Sequence, residues 1–161
     1  MSYVRFAAMI TTSTVVMYGL MYLNTYAFEH VRFSETRLYM ALVMGAAMAV
    51  IMLAFMLGMY RRRALNAGIF VGAAAVFVLA LWLVRSQTTV EDEAYMRAMI
   101  PHHSIAILTS ERANIRDPRV RELADQIIKA QRREIGEMED LLNALSAEPV
   151  PADAPILPAR P

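Results

Sequence analysis

The sequence contains no cysteine among its 161 residues. Disulfide bonds, thiolate metal sites and cysteine nucleophiles are therefore excluded, and cysteine usage says nothing about the redox compartment. Only three histidines are present, whereas methionine occurs thirteen times. Any site for a soft metal ion must therefore be built from thioether and imidazole groups.

The part of the chain from Ser86 onward has little positive charge, with nine basic residues against thirteen acidic ones. A net charge of −4 argues against nucleic acid as a partner, because nucleic acid requires a basic surface. The chain also lacks the Glu-x-x-His motifs that a ferritin-type di-metal oxidase needs in pairs. No phosphate loop or nucleophile–base pair is recognisable, so we expect a protein that is not an enzyme.

Apolar residues are abundant instead and make up 57% of the chain. They form three long runs, at residues 6–28, 38–60 and 65–84. Each run is long enough to cross a hydrocarbon core of about 30 Å as a helix. A helix suits lipid because its backbone N–H and C=O groups bond to each other. The first run is too long for a signal peptide and lacks a cleavage site. We therefore predict an all-α protein whose residues 1–85 form a membrane domain with three transmembrane helices.

The basic residues between the runs indicate the orientation of this domain. The densest cluster, Arg61, Arg62 and Arg63, lies between the second and third runs. Basic loops favour the cytoplasm, so the N-terminus is predicted to be cytoplasmic and the part after Arg85 extracytoplasmic.

Methionine occupies every fourth position of the second run from Met40 to Met56 and then position 59, which forms a slowly winding stripe on one side of a helix. The stripe either packs as flexible side chains or provides thioethers that pass Cu(I) across the membrane. Gly68 and Gly72 form a GxxxG motif in the third run, a spacing that favours close helix contacts within or between chains. The methionines of the stripe are Met40, Met44, Met48, Met52, Met56 and Met59.

Residues 86–146 are predicted to form an antiparallel helical hairpin. Thr88 and Glu91 have the spacing of a capping box, and a helix follows over about residues 90–114, with Pro101 bending it. Asp117 and Pro118 start a second amphipathic helix over about residues 118–145. Five prolines lie in residues 147–161, which we expect to be a disordered tail.

The segment YMRAMIPHHSIAI, from Tyr95 to Ile107, combines soft sulfur with imidazole. On a helix, Met96, Met99 and His103 share one face, and His102 lies at its edge. Thioether and imidazole ligands suit copper, with methionine favouring Cu(I), and zinc is the second choice. The same histidines could instead be hydrogen-bonded groups of a packed core.

The second helix supplies possible partners for this face. Folding the hairpin at residues 115 and 116 places His103 opposite Ile127 or Ile128, with Gln131 and Glu134 flanking the zone. A lone hairpin leaves a face uncovered, so a dimeric four-helix bundle or packing on another protein is expected. His30, in the loop after the first run, is either solvated or a contributor to a shared metal site.

These motifs resemble the bacterial family catalogued as domain of unknown function 305. The resemblance rests on MRAMIPHHSIAI followed by a second helix reading LADQIIKAQRREIGEM, and it covers about residues 93–142. It implies a ferritin-like helical fold and an extracytoplasmic copper protein, here anchored in a bacterial inner membrane. Thr109 stands where members often have a further methionine, so we expect at most one ion per hairpin or per dimer. The resemblance places signature residues at Met96, Met99, His102, His103, Gln131, Glu134 and Met138.

Two functions remain open from the sequence. The first is a membrane-anchored copper-binding or copper-handling protein. Its ligands would be Met96, Met99 and His103, with His102 as ligand or orienting group and Glu134 and Met138 in support. The second is an accessory or structural subunit of a larger membrane complex, in which the histidine pair serves the bundle. The expected partners are the lipid bilayer and either further copies of the chain or that larger complex.

Overall fold

The computed structural model describes residues 2–151 and 153–157, and within these residues it contains five α-helices and no β-strand. The prediction of an all-α chain is therefore confirmed for the described residues. A short 3₁₀ turn, Phe28–His30, lies between the first two helices. The helices are α1 (Tyr3–Leu20), α2 (Glu35–Phe55), α3 (Arg63–Ser86), α4 (Asp92–Arg112) and α5 (Pro118–Ala147).

Helix α2 is the centre of the first half of the molecule and contacts both α1 and α3. Its buried positions are mostly small, which allows neighbouring backbones to approach closely. Gly45 is the tightest of these positions, because a Cβ there would run into the Thr14 hydroxyl and lie 3.1 Å from the Thr14 methyl carbon. The buried residues of α2 are Ala41, Gly45, Ala46, Ala49 and Leu53.

Polar contacts join the start of α1 to the connection between α2 and α3. The Tyr3 hydroxyl lies 2.8 Å from Asn66 Oδ1, and the Asn66 amide donates to the Tyr60 carbonyl at 2.7 Å. The rings of Tyr3 and Tyr60 are also in contact, with centroids 4.8 Å apart. Helix α1 therefore begins at the end of the bundle where α2 ends, and it runs antiparallel to α2.

The structure supports two of the three predicted membrane spans. By length and composition, two of the described helices, α2 and α3, could cross a membrane. Helix α1 has 18 residues and ends at Leu20, not at residue 28 as predicted. It can end there because Arg37 donates a hydrogen bond of 2.7 Å to the Met21 carbonyl, which the helix leaves without an internal partner. The apolar pattern of residues 21–28 could not show this contact.

The ends of the other helices follow local capping groups. Ser34 caps α2 by accepting a hydrogen bond from the backbone N–H of Arg37 at 3.3 Å, so α2 starts three residues earlier than predicted. The capping box predicted for α4 is wrong. The N-cap is Glu91, without a side-chain bond, and the Thr88 hydroxyl instead lies 3.2 Å from that of Ser86.

Helices α4 and α5 lie antiparallel, because Ser110 late in α4 contacts Arg121 early in α5 at 2.9 Å, whereas His103 earlier in α4 contacts Glu134 later in α5. The predicted start of α5 is confirmed, since Asp117 accepts from the backbone N–H of Arg119 at 2.9 Å and Pro118 is the first helical residue. Helix α4 continues through Pro101. Helix α5 ends at Ala147, and residues 152 and 158–161 of the predicted tail lie outside the described residues.

Candidate metal centre

The candidate site lies between α4 and α5, where a cluster of apolar side chains forms the core of the hairpin. Met96 and Ile100 of α4 and Ile135 and Met138 of α5 are buried in this cluster, and Met99 packs against it. Two predicted thioethers are therefore buried and a third borders them. The spacing of three and four residues on each helix brings these side chains to one face.

His103 is held at the edge of this cluster by both ring nitrogens. Its Nδ1 donates to the Met99 carbonyl at 2.9 Å, since a carbonyl oxygen can only accept. Its Nε2 lies 2.9 Å from Glu134 Oε2. The His103 side chain is only 12% exposed, whereas that of Glu134 is 37% exposed. The ring is therefore fixed in the interior, and its carboxylate partner is reachable from solvent.

The contact between His103 and Glu134 differs from the register predicted by sequence. Simple antiparallel counting places His103 opposite Ile127 or Ile128, whereas the structure pairs it with Glu134. Helical side chains lean toward the N-terminus of their own helix. On antiparallel helices these two side chains lean toward each other, and they meet at the level of Met99.

His102 occupies a different position from His103, although the two are adjacent. Its side chain is exposed, and its ring centroid is 6.0 Å from that of His103. Successive helical residues point about 100° apart, so the two imidazoles cannot share one face. The structure joins His103 and Glu134 by a direct contact, places Met96, Met99 and Met138 in or against the apolar cluster, and leaves His102 exposed.

A metal site at this hairpin would depend on sulfur rather than on charged groups alone. Among the described residues, no group of three or more histidine, aspartate and glutamate side chains could hold a metal ion. One imidazole, one carboxylate and neighbouring thioethers remain at the hairpin. This chemistry suits a soft cation, because hard cations require more oxygen ligands.

A second polar group, missed by the sequence analysis, lies next to His103 on α4. Ser104 is fully buried, and its hydroxyl accepts a hydrogen bond of 2.7 Å from the backbone N–H of Tyr26. His30 Nδ1 lies 2.9 Å from the same hydroxyl. One signal was available, since Ser104 lies between Ile100 and Ile107 at a spacing typical of core positions. A buried hydroxyl there requires a partner.

These contacts settle the position of His30, whose role the sequence left open. Its ring is anchored on Ser104, one residue after His103 on the same helix. The side chain of Tyr26 packs against the cluster that contains Met96 and Met138. The loop between α1 and α2 therefore covers part of the candidate site.

The methionine stripe of α2 is separate from this centre. Met40, Met44 and Met48 are half-buried, whereas Met59 is exposed. Met52 and Met56 pack against an apolar cluster that includes Phe6 and Tyr60. These contacts are compatible with a packing role, and transport of Cu(I) along the stripe stays a prediction.

Comparison with known proteins agrees with the resemblance seen in the motifs. Residues 92–156, which include α4 and α5, match the family described as Domain of unknown function (DUF305). The matched region is less than half of the chain and leaves out α1, α2 and α3.

A curated relative, Uncharacterized protein L153 of Acanthamoeba polyphaga mimivirus, is 37% identical over 70 residues. The alignment covers 42% of this chain and 46% of that protein, so the chain spans about half the length of this relative. No solved structure matches the chain significantly.

Proposed function

We propose that this chain is a membrane-anchored metal-binding protein that handles copper, with Cu(I) preferred, in the hairpin of α4 and α5. The observation that carries the proposal is the fixed orientation of His103 on the helix face whose apolar cluster contains Met96 and Met138 and borders Met99. Metal-binding histidines commonly donate their second ring N–H to a carbonyl or carboxylate, which fixes the ring. The bond from His103 Nδ1 to the Met99 carbonyl has this form and leaves Nε2 as the nitrogen that would bind the metal.

The other residues take roles that follow from their positions. Met99 and Met96 supply thioether sulfur from the same helix face, and Met138 supplies it from α5. Glu134 would give up its contact with His103 Nε2 when the metal binds, and it would then neutralise charge nearby. His102 is exposed and acts at the entrance of the site. The chain then holds at most one ion per hairpin.

The membrane part of the proposal has three crossings, with α1 as the third. Helix α1 has about 27 Å of helical rise over its 18 residues, close to the thickness of a hydrocarbon core. The contact between Tyr3 and Asn66 and the bond from Arg37 to the Met21 carbonyl tie its two ends to opposite ends of the α2–α3 pair. The protein would lie in a bacterial inner membrane with its N-terminus in the cytoplasm and the hairpin outside.

A second copy of the chain is the partner proposed for the hairpin. Leu123 and Leu141 of α5 are both more than half exposed. Pairing of two hairpins would cover such residues in a four-helix bundle.

Competition for Cu(I) between the full-length protein in detergent and a coloured chelator tests copper binding. We expect His103→Ala to weaken Cu(I) binding by about 10–100-fold or more, because a ligand should matter at least as much as an outer group. Met99→Leu should also weaken binding, because it keeps the volume and removes the sulfur. Met59→Leu is the matched control and should change binding little, because Met59 lies outside the hairpin and is exposed.

The competing function, an accessory subunit with a structural histidine, is supported by the same contacts. His103 already has a partner at each nitrogen without any metal. If this function is correct, His103→Ala will lower the thermal stability of the protein and leave any copper binding as it was. A folded wild type that takes no Cu(I) from the chelator would refute the copper proposal.

A further inference from the structure

The loop between α1 and α2 exposes three large apolar side chains within a short stretch, residues 21–34. Leu23, Phe28 and Phe33 are 77%, 91% and 57% exposed. Exposed apolar groups that are close together commonly mark a contact surface. Aromatic side chains are typical of the two interfaces between a membrane and water.

This loop is fixed to the rest of the molecule. The backbone of Tyr26 and the ring of His30 are both bonded to the buried Ser104 hydroxyl of α4. At the start of the loop, the Arg37 guanidinium lies 4.3 Å from the centre of the Tyr22 ring. The exposure of Leu23, Phe28 and Phe33 therefore belongs to a held conformation, with Tyr26 and His30 turned toward the hairpin.

The position of the loop along the membrane axis follows from its connection to α2. Phe33 lies two positions before Glu35, which is the first residue of α2. Helix α2 could span a membrane. Two residues extend the chain by at most about 7 Å. If α2 crosses the bilayer with its apolar run from residue 38, Phe33 therefore lies in the headgroup layer that borders the hydrocarbon core. A contact of 2.8 Å between the hydroxyls of Tyr39 and Thr89 holds the segment before α4 at the same end.

We infer that the loop of residues 21–34 lies in the interfacial layer of the bilayer, with Leu23, Phe28 and Phe33 inserted at the boundary between headgroups and acyl chains. This inference rests on the membrane attachment proposed above. Amphipathic segments insert about 5–10 Å into this boundary. Because the same loop is bonded to Ser104, it holds the middle of α4 close to the membrane surface. His103, which precedes Ser104 on α4, then also lies close to the bilayer surface.

The experiment uses tryptophan fluorescence of the full-length protein in phosphatidylcholine vesicles whose lipids carry bromine at different depths. The chain has a single tryptophan, Trp82, which is half exposed near the end of α3 and reports insertion of that helix. The variant Trp82→Phe with Phe28→Trp moves the reporter to the loop. A matched control combines Trp82→Phe with Leu123→Trp, at an exposed apolar position near the far end of the hairpin.

We expect the reporter at position 28 to emit at shorter wavelength than the reporter at position 123 in the same vesicles, and to be quenched most by bromine near the headgroups. The reporter at position 123 should be quenched less than the reporter at position 28. If Phe28→Trp impairs folding, Phe33→Trp in the same background provides the same reading.

The remaining outcomes separate the two proposals. Quenching of native Trp82 without quenching at position 28 or 33 overturns the inserted loop and leaves membrane attachment intact. Equal quenching at positions 28 and 123 also overturns it, because the whole hairpin would then lie on the bilayer. No quenching of Trp82 overturns both the membrane attachment and the loop.

Discussion

Ser104 is a buried hydroxyl that serves two groups from another part of the chain, the backbone of Tyr26 and the ring of His30. Spacing on α4 was sufficient to predict that Met96, Met99 and His103 share a face, because a helix repeats every 3.6 residues. It could not predict the partners of Ser104, which lie 78 and 74 positions away along the sequence. Contacts of this kind depend on where a distant loop is placed.

Ser104→Ala should lower the stability of the protein by about 1–3 kcal/mol, because the Tyr26 N–H loses its acceptor at a site with no exposed surface. Thermal unfolding in detergent measures the loss. Ser146→Ala is the matched control, since Ser146 is exposed and its hydroxyl bonds only the Leu142 carbonyl of its own helix at 2.8 Å. Equal stability of the two variants would mean that the loop is not held by Ser104.

Helix ends show where sequence signals suffice and where they do not. Asp117 and Pro118 supply their own cap, so the start of α5 was predictable from two adjacent residues. The end of α1 depends on Arg37, which reaches back to the Met21 carbonyl from the next helix. The apolar run alone therefore predicted too long a first helix.

The Asp117 cap should make the start of α5 sensitive to acid. The side chain and backbone N–H groups of Arg119 hold the pKa of the Asp117 carboxyl below its ordinary value of about 3.9. A carboxyl with a lowered folded pKa stabilises the protein above its unfolded pKa, and the benefit is lost as the pH falls through the folded pKa. Asp117→Asn should keep the cap but remove this acid dependence, whereas Asp117→Ala should lose both. Unfolding curves between neutral pH and about pH 3 would decide, and parallel pH profiles for wild type and Asp117→Asn would contradict the prediction.

The space around each glycine shows whether its helix face packs against another helix of this chain or is uncovered. Gly45→Ala should destabilise the packing of α1 on α2 by about 1–3 kcal/mol, because the new methyl group meets Thr14. Gly72→Ala is the control, since no atom lies within 4 Å of a Cβ at that position.

The contact between Gly45 and Thr14 can also be tested by a second substitution in Gly45→Ala. Thr14→Ala should restore the stability of Gly45→Ala, because it removes the hydroxyl and methyl groups in the way. Unfolding in detergent measures the stability of the wild type, the two single variants and the double variant. Additive effects of the two substitutions would show that Gly45 and Thr14 do not meet.

At the scale of the whole molecule, two parts that were predictable separately are joined by contacts that were not. Apolar length predicted α2 and α3, and periodicity predicted α4 and α5. The junction includes Ser104 with its loop partners and a pair between Arg32 and Glu139 at 3.4 Å. Exposed ion pairs contribute little stability, so Ser104 and the packing of Tyr26 should hold the parts together.

The absence of cysteine allows the arrangement of these parts across the membrane to be tested with single introduced thiols. Ser2 lies beside the connection between α2 and α3, because the neighbouring Tyr3 contacts Asn66 and Tyr60 there. If α1, α2 and α3 all cross, Ser2→Cys and Gly58→Cys should be reached by a membrane-impermeant maleimide only after the cells are permeabilised. Leu123→Cys, in the hairpin, should be labelled in intact cells. Labelling of Ser2→Cys in intact cells, with Gly58→Cys still protected, would show that α1 does not cross and that Tyr3 does not contact Asn66 and Tyr60 in the membrane.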